Sequence, residues 1–156
     1  MKNSVLPLFL LLIIVSGSGC LKDKTCTPKM PSSEAATIQT YAGLNGIIAV
    51  PHSSGLYYEI LDPGTGATAT ATSTIFITYT GKMLDGTVFD QQNNSGATGW
   101  PLNQLIEGWR VGIPLIKEGG RIRLLIPSSM AYGCTGYGGI PGDAILDFDI
   151  TLVDVQ

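Results

Sequence analysis

Two stretches decide the fold: Tyr79-Thr-Gly-Lys-Met-Leu-Asp-Gly-Thr-Val-Phe-Asp90 and Ala131-Tyr-Gly-Cys-Thr-Gly-Tyr-Gly-Gly-Ile-Pro141. Leading into the first, Ile75 to Tyr79 alternates apolar with polar residues, and within it Asp85-Gly86 signals a tight turn before Val88-Phe89; together they predict a hairpin. Working outward, Arg121-Ile-Arg-Leu-Leu-Ile126 is a strand stopped by Pro127, and Ala144 to Val153 sets Leu146, Phe148 and Ile150 against Ile145, Asp147 and Asp149. Between them, Leu105, Ile106, Trp109, Ile113 and Ile116 recur at helical spacing and predict one helix over Asn103–Ile116, with Pro114 near its end. Upstream, Ile47–Val50 and Leu56–Leu61 are apolar runs separated by Pro51-His-Ser-Ser-Gly55, a second expected hairpin. Ala67–Ser73 is an Ala/Thr tract expected to be a solvated connection, and Gln91–Gly99 a polar, Gly-rich loop. One helix against a bent antiparallel sheet is an α+β architecture.

Rings are spaced through this β-rich region with almost no cationic groups among them, a pattern that points to a dry, ring-lined pocket. Taken with Pro101-Leu-Asn-Gln-Leu-Ile-Glu-Gly-Trp109 and Ala144-Ile-Leu-Asp-Phe-Asp-Ile-Thr-Leu-Val153, the two deciding stretches stand in an order that resembles the FKBP-type peptidyl-prolyl cis-trans isomerases, from about Gly55 to Val155. The resemblance implies a half-barrel sheet wrapped around a single short helix, and an activity that accelerates rotation about X-Pro bonds with no cofactor and no metal. It implies that Trp109 floors the site under the proline ring, with Tyr79, Phe89 and Phe148 as walls and Leu105 and Ile106 completing it. It further implies that Ile106 offers its backbone N–H to a substrate carbonyl, that Tyr132 hydrogen-bonds the peptide carbonyl, and that Asp90 sits beside the twisting amide. Tyr137 and Ile140 are implied to overhang the pocket. The chain departs from the family pattern at the rim: Trp100 is a single ring where one or two Phe are common, and Tyr137 replaces a frequent His. A reading from another class is a non-catalytic module or chaperone that uses the same pocket to hold Pro-containing segments. Large aromatics such as Trp109 and Phe148 are also ordinary core residues.

Other chemistries find little support. His52 is the sole histidine and no Cys-x-x-Cys occurs, so neither a metal site nor a His-based triad is expected. Ser128-Ser129 lacks a Gly-x-Ser-x-Gly elbow, and Gly136-Tyr-Gly-Gly139 does not open a helix after a strand. Nine Lys and Arg against twelve Asp and Glu give a formal charge of −3, which provides no clustered cations for nucleic acid.

The 156 residues suit one domain with an appendage. Lys2, the apolar run Val5–Val15 and the small residues Ser16-Gly-Ser-Gly19 have the shape of a signal peptide over residues 1–19. The run is too short to cross a bilayer, which takes about 20 residues. Cys20 directly follows and looks like a bacterial lipoprotein processing site, although Gly17 stands where Leu is usual; the alternative is a secreted chain cleaved near Gly19. The expected organisation is thus a signal peptide (1–19), a tether (20–31), a helix and strand extension (32–54) with a helix starting at Ser32, and the isomerase domain (55–156). The expected setting is the bacterial cell envelope, the protein being held at the outer membrane by its lipid as a monomer acting on Pro-containing polypeptides. If Cys20 is lipidated, Cys26 and Cys134 remain. In an oxidising compartment they are expected to pair, the alternative being two free thiols.

Overall fold

The computed structural model describes residues 26–156; the signal-peptide and Cys20 expectations fall outside them. Along the chain come α1 (Pro31–Leu44), β1 (Val50–Pro51), β2 (Tyr57–Asp62), β3 (Thr74–Met83), β4 (Val88–Gln92), β5 (Trp100–Pro101), α2 (Glu107–Gly112), β6 (Arg121–Ile126) and β7 (Leu146–Val155). The strands form one antiparallel sheet in the order β1-β2-β6-β7-β3-β4, with β5 paired to the start of β3. The sheet bends around α2, the half-barrel that the family resemblance implies.

The period-two alternation of the central strands explains how this sheet is buried on both faces. On the concave face Ile75, Ile77, Tyr79, Ile122, Leu124, Leu146, Phe148, Ile150 and Leu152 form the main core with Trp109 and Ile113. On the convex face Tyr57, Leu125 and Ile145 pack under Ile38 and Ala42 of α1. Only one narrow line of α1, Glu34, Ile38 and Ala42, is buried, and it docks against the sheet as its composition suggests. Tyr41 donates to Asp147 Oδ2 at 2.8 Å, and Arg123 engages both oxygens of the same buried carboxylate at 2.8 and 2.6 Å.

Several boundaries differ from those the sequence predicts. The helix expected over Asn103–Ile116 is reduced to the six residues of α2, flanked by 3-10 turns at Leu102–Gln104 and Ile113–Leu115. Leu105 and Ile106 have extended backbones between them, and Pro114, lacking an N–H, ends the α-helical hydrogen bonding. Their apolar character, which suggests helical spacing, serves a cavity instead. The strand expected from Ile47 contracts to β1, because the Ile47 N–H donates to Ala42 O at 2.9 Å and the Ile48 N–H to Glu59 at 3.2 Å. The Ala/Thr tract is mostly exposed, yet Ala69 enters the core and Thr68 bridges Lys117. The end of the first hairpin also runs longer than expected, with β4 reaching Gln92.

Candidate active site

At one end of the half-barrel, β3, α2 and β7 present rings to a common space. Trp109 lies at its base, edge-on to Tyr79 (centroids 5.1 Å, 74°) and to Phe148 (5.0 Å, 82°). Edge-to-face contacts of this kind set the positive ring edge against a neighbour's negative face and fix each ring's attitude. Trp100, carried in by β5, stacks toward Trp109 at 6.4 Å and 29°. The glycines of α2 let the helix lie close on β6: a Cβ at Gly108 would lie 2.5 Å from Ile126 Cγ2, and one at Gly112 would lie 2.6 Å from Leu124 Cδ1.

The resulting cavity is about 310 Å³ and is lined by Tyr79, Asp90, Trp100, Pro101, Gln104, Leu105, Ile106, Trp109, Tyr132 and Phe148. That volume falls at the lower end of small-molecule pockets, roughly 300 to 1,000 Å³, a fit for a single ring and its flanking amide. Asp90 is the one charged residue in the lining. Its Oδ2 accepts the Tyr79 hydroxyl at 2.6 Å. Burial, and then the hydrogen bond and charge of Asp90, push the Tyr79 phenol well above its usual range. Burial likewise raises Tyr132, with the charges of Asp90 and Tyr137 adding to it. Both tyrosines are therefore neutral donors at physiological pH. No hydrogen bond within the described residues engages the Tyr132 hydroxyl or the Ile106 N–H, and the buried Trp109 Nε1 is also unpartnered.

Eight of the residues singled out from sequence thus meet around one space. Three stand apart from it. Phe89 backs Phe148 edge-to-face at 5.4 Å and 88° rather than facing the cavity. Phe89, Tyr137 and Ile140 line an adjoining cleft of about 220 Å³ that shares Asp90 and Tyr132 with the first. Tyr137 stacks on Tyr132 at 5.3 Å and 14° and is largely exposed. Pro101 and Gln104 were not legible as site residues; a short 3-10 turn and a two-residue strand deliver them, and neither leaves a periodic signal.

The loop carrying Tyr132 is attached to the chain's N-terminal part. Cys26 and Cys134 form a disulfide with Cα atoms 5.5 Å apart. Among the described residues no group of three His, Cys, Asp or Glu is placed to hold a metal ion, and no helix is long and apolar enough to cross a membrane.

A half-barrel closed on one short helix, with a ring-floored pocket carrying a single carboxylate, defines a class, and comparison with known proteins gives its family. The chain belongs to the FKBP-type peptidyl-prolyl cis-trans isomerase family, whose model matches residues 66–153. It is similar to the FKBP-type isomerase FkpA of Aeromonas hydrophila, 41% identical over 104 residues that make up 66% of this chain and 39% of that protein. FkpA of Escherichia coli K12 is 38% identical over 105 residues, 67% of this chain and 39% of its own. Among solved structures, FkpA from Escherichia coli superposes with a TM-score of 0.69 and 32% identity, covering 81% of this chain and 61% of the other. A peptidyl-prolyl cis-trans isomerase from Pseudomonas syringae pv. tomato gives 0.67 and 29%, covering 83% and 98%. The chain spans about 39% of the length of these FkpA relatives.

Proposed function

We propose that this chain accelerates cis-trans rotation about X-Pro bonds in proteins folding outside the cytoplasm. The observation that carries the reading is a Trp-floored, ring-lined cavity in which two neutral tyrosine donors and one carboxylate surround the space for a single ring. An X-Pro amide resists rotation because nitrogen–carbonyl resonance holds it planar, with a barrier near ~20 kcal/mol. No covalent chemistry is required to lower it. Removing water from the carbonyl weakens the charge-separated planar form, and holding the prolyl ring in an apolar slot favours the twisted state over the ground state. In this reading the proline ring rests on Trp109 between Tyr79, Phe148 and Ile106. The Tyr132 hydroxyl and the Ile106 N–H donate to substrate carbonyls. Asp90 orients Tyr79 and places its charge beside the twisting carbonyl carbon. Trp100 and Leu105 border the entrance, while Phe89, Tyr137 and Ile140 contact residues flanking the proline.

The remaining expectations belong to the same reading. Cys20 is the lipidated first residue of the mature chain after removal of residues 1–19, the stretch to Pro31 is a tether, and the isomerase unit from Gly55 works as a monomer held at the outer membrane of a bacterial envelope. The Cys26–Cys134 disulfide suits an oxidising compartment.

A protease-coupled assay on a short X-Pro peptide tests the activity. The expected result is catalysed isomerisation that falls at least about tenfold in Asp90→Ala; binding of the peptide without catalysis would make the chain a holding module instead. Mass spectrometry tests the anchor: an acylated N-terminus at Cys20 is expected, and an unmodified N-terminus elsewhere would refute it.

A further inference from the structure

Ahead of residues 66–153, which the family model matches, the N-terminal segment reaches the Tyr132 loop through a buried carboxylate. Glu34, in the first turn of α1, is 4% exposed although it is an acidic residue. A carboxylate that deep needs both oxygens satisfied. Its Oε2 accepts the Ser128 N–H at 2.7 Å, and its Oε1 accepts the Ser128 hydroxyl at 2.9 Å. Lys29 Nζ stands 3.8 Å from Oε1 and 3.5 Å from Asp143 Oδ2, a partial counter-charge.

Ser128 is in turn the residue on which Tyr132 hangs. Its carbonyl accepts the N–H of Ala131 at 3.1 Å and of Gly133 at 2.8 Å, the two residues on either side of Tyr132. The Gly133 carbonyl then accepts the N–H of Asp143, so the far end of the loop is referred to the same point. A continuous hydrogen-bonded path therefore runs from the α1 carboxylate through Ser128 to the backbone flanking a ring that lines the cavity. Glu34 itself is not in the lining.

We infer that Glu34 is a positioning residue for the isomerase site: by clamping Ser128 it sets where the Tyr132 hydroxyl stands over the cavity. The inference rests on the proposed isomerase reading for its catalytic part, and on backbone geometry alone for its structural part. Gln at this position keeps the shape, with one oxygen for the Ser128 N–H and an amide that can donate to Oγ. Ala keeps neither. Charge is thus secondary and two-point contact primary.

The test uses the full chain with Glu34→Ala, Glu34→Gln, Tyr132→Phe and the double variant Glu34→Ala/Tyr132→Phe, each followed by X-Pro peptide kinetics and by amide hydrogen exchange. Exchange at Ala131 and Gly133 is expected to speed up about tenfold in Glu34→Ala and to remain near wild type in Glu34→Gln. Glu34→Ala is expected to lower kcat/KM about fivefold in the wild-type background and less than about twofold once the Tyr132 hydroxyl is gone, the non-additivity that marks action through that group. Unchanged exchange at the two amides, or losses that simply multiply in the double variant, would overturn the inference. If Glu34→Ala does not fold, Ser128→Ala removes only the Oγ contact and carries the same cycle with the same criteria. A wild-type chain without isomerase activity would sink the functional reading, and the exchange data would still decide whether Glu34 holds the loop.

Discussion

The Tyr79 hydroxyl and Asp90 Oδ2 lie 2.6 Å apart across the β3–β4 ladder, in which Asp90 is paired with Gly81. Tyr79 is two residues from Gly81 and therefore on the same face, so the pair is a cross-strand diagonal that ties the cavity wall to the solvent-facing strand. Asp90 is exposed and contributes little to packing. Asp90→Ala should accordingly lower kcat/KM at least about tenfold, a loss of about 1.4 kcal/mol in transition-state stabilisation, with an almost unchanged melting temperature. Tyr79→Phe should cost less, since the ring stays. Wild-type kinetics in Asp90→Ala would remove the carboxylate from the site.

Gly81 marks a second sensitive point. A Cβ there would stand 2.6 Å from Phe148 Cε1 and 2.7 Å from Phe89 Cζ, and both rings are held by edge-to-face packing. Gly81→Ala should cost about 1 to 3 kcal/mol through overpacking and reduce kcat/KM by displacing the Phe148 wall. Urea denaturation and peptide kinetics on one preparation measure both effects; unaltered stability would mean that the two rings move aside freely.

Alkaline stability follows from the tyrosines. Tyr79 and Tyr132 are raised above the usual 10.0 chiefly by burial, as is Tyr41, to which the hydrogen bond and charge of Asp147 add. In the unfolded chain these phenols ionise near 10.0, so above that pH the folded state holds more protons than the unfolded one. Stability from these groups is therefore complete below about pH 10 and is lost as pH rises toward the folded-state values. Melting temperature should fall above about pH 10, with a shallower fall in Tyr79→Phe, and tyrosinate absorbance should lag behind that of the denatured protein. A Tyr79→Phe curve parallel to wild type would contradict this.

Reduction of the Cys26–Cys134 disulfide should lower the melting temperature. The bond closes a separation of 108 residues, for which chain entropy predicts about 4 to 5 kcal/mol. Catalysis should suffer less than stability, because Asp90, Trp109 and Phe148 reside on the sheet and α2. Two thiols titrating in the unreduced, denatured protein would show that the bond is absent in solution.

The sequence displayed most of this fold because strands that bury one face per residue leave a period of two, as in Leu146, Phe148 and Ile150. It misplaced the helix because a pocket wall and a core stripe are both apolar: Leu105 and Ile106 continue the spacing of Trp109 and Ile113 while their backbones are extended. The rings and Asp90 were visible through their order along the chain, whereas Gln104 and Glu34 were not. What they do depends on partners reached through tertiary contact, Ser128 in one case and the cavity in the other, and no local pattern encodes such pairs. Phe89 was legible as part of the aromatic group, yet its place behind Phe148 depends on the twist of the β3–β4 hairpin.

The line of α1 that crosses the convex face has a consequence for how this polypeptide can be cut. The match to the family model begins at residue 66, whereas Leu56 is fully buried in the main core, β2 is hydrogen-bonded along β6, and Ile38 and Ala42 cover Leu125 and Ile145. A fragment started at residue 66 would bare the β6 edge that β2 now pairs and the apolar face that α1 now covers, and would strip Asp147 of its Tyr41 partner, leaving a sticky strand edge. The span of the family model and the unit of folding are different lengths of this chain, and a recombinant fragment that is to stay soluble must respect the longer one.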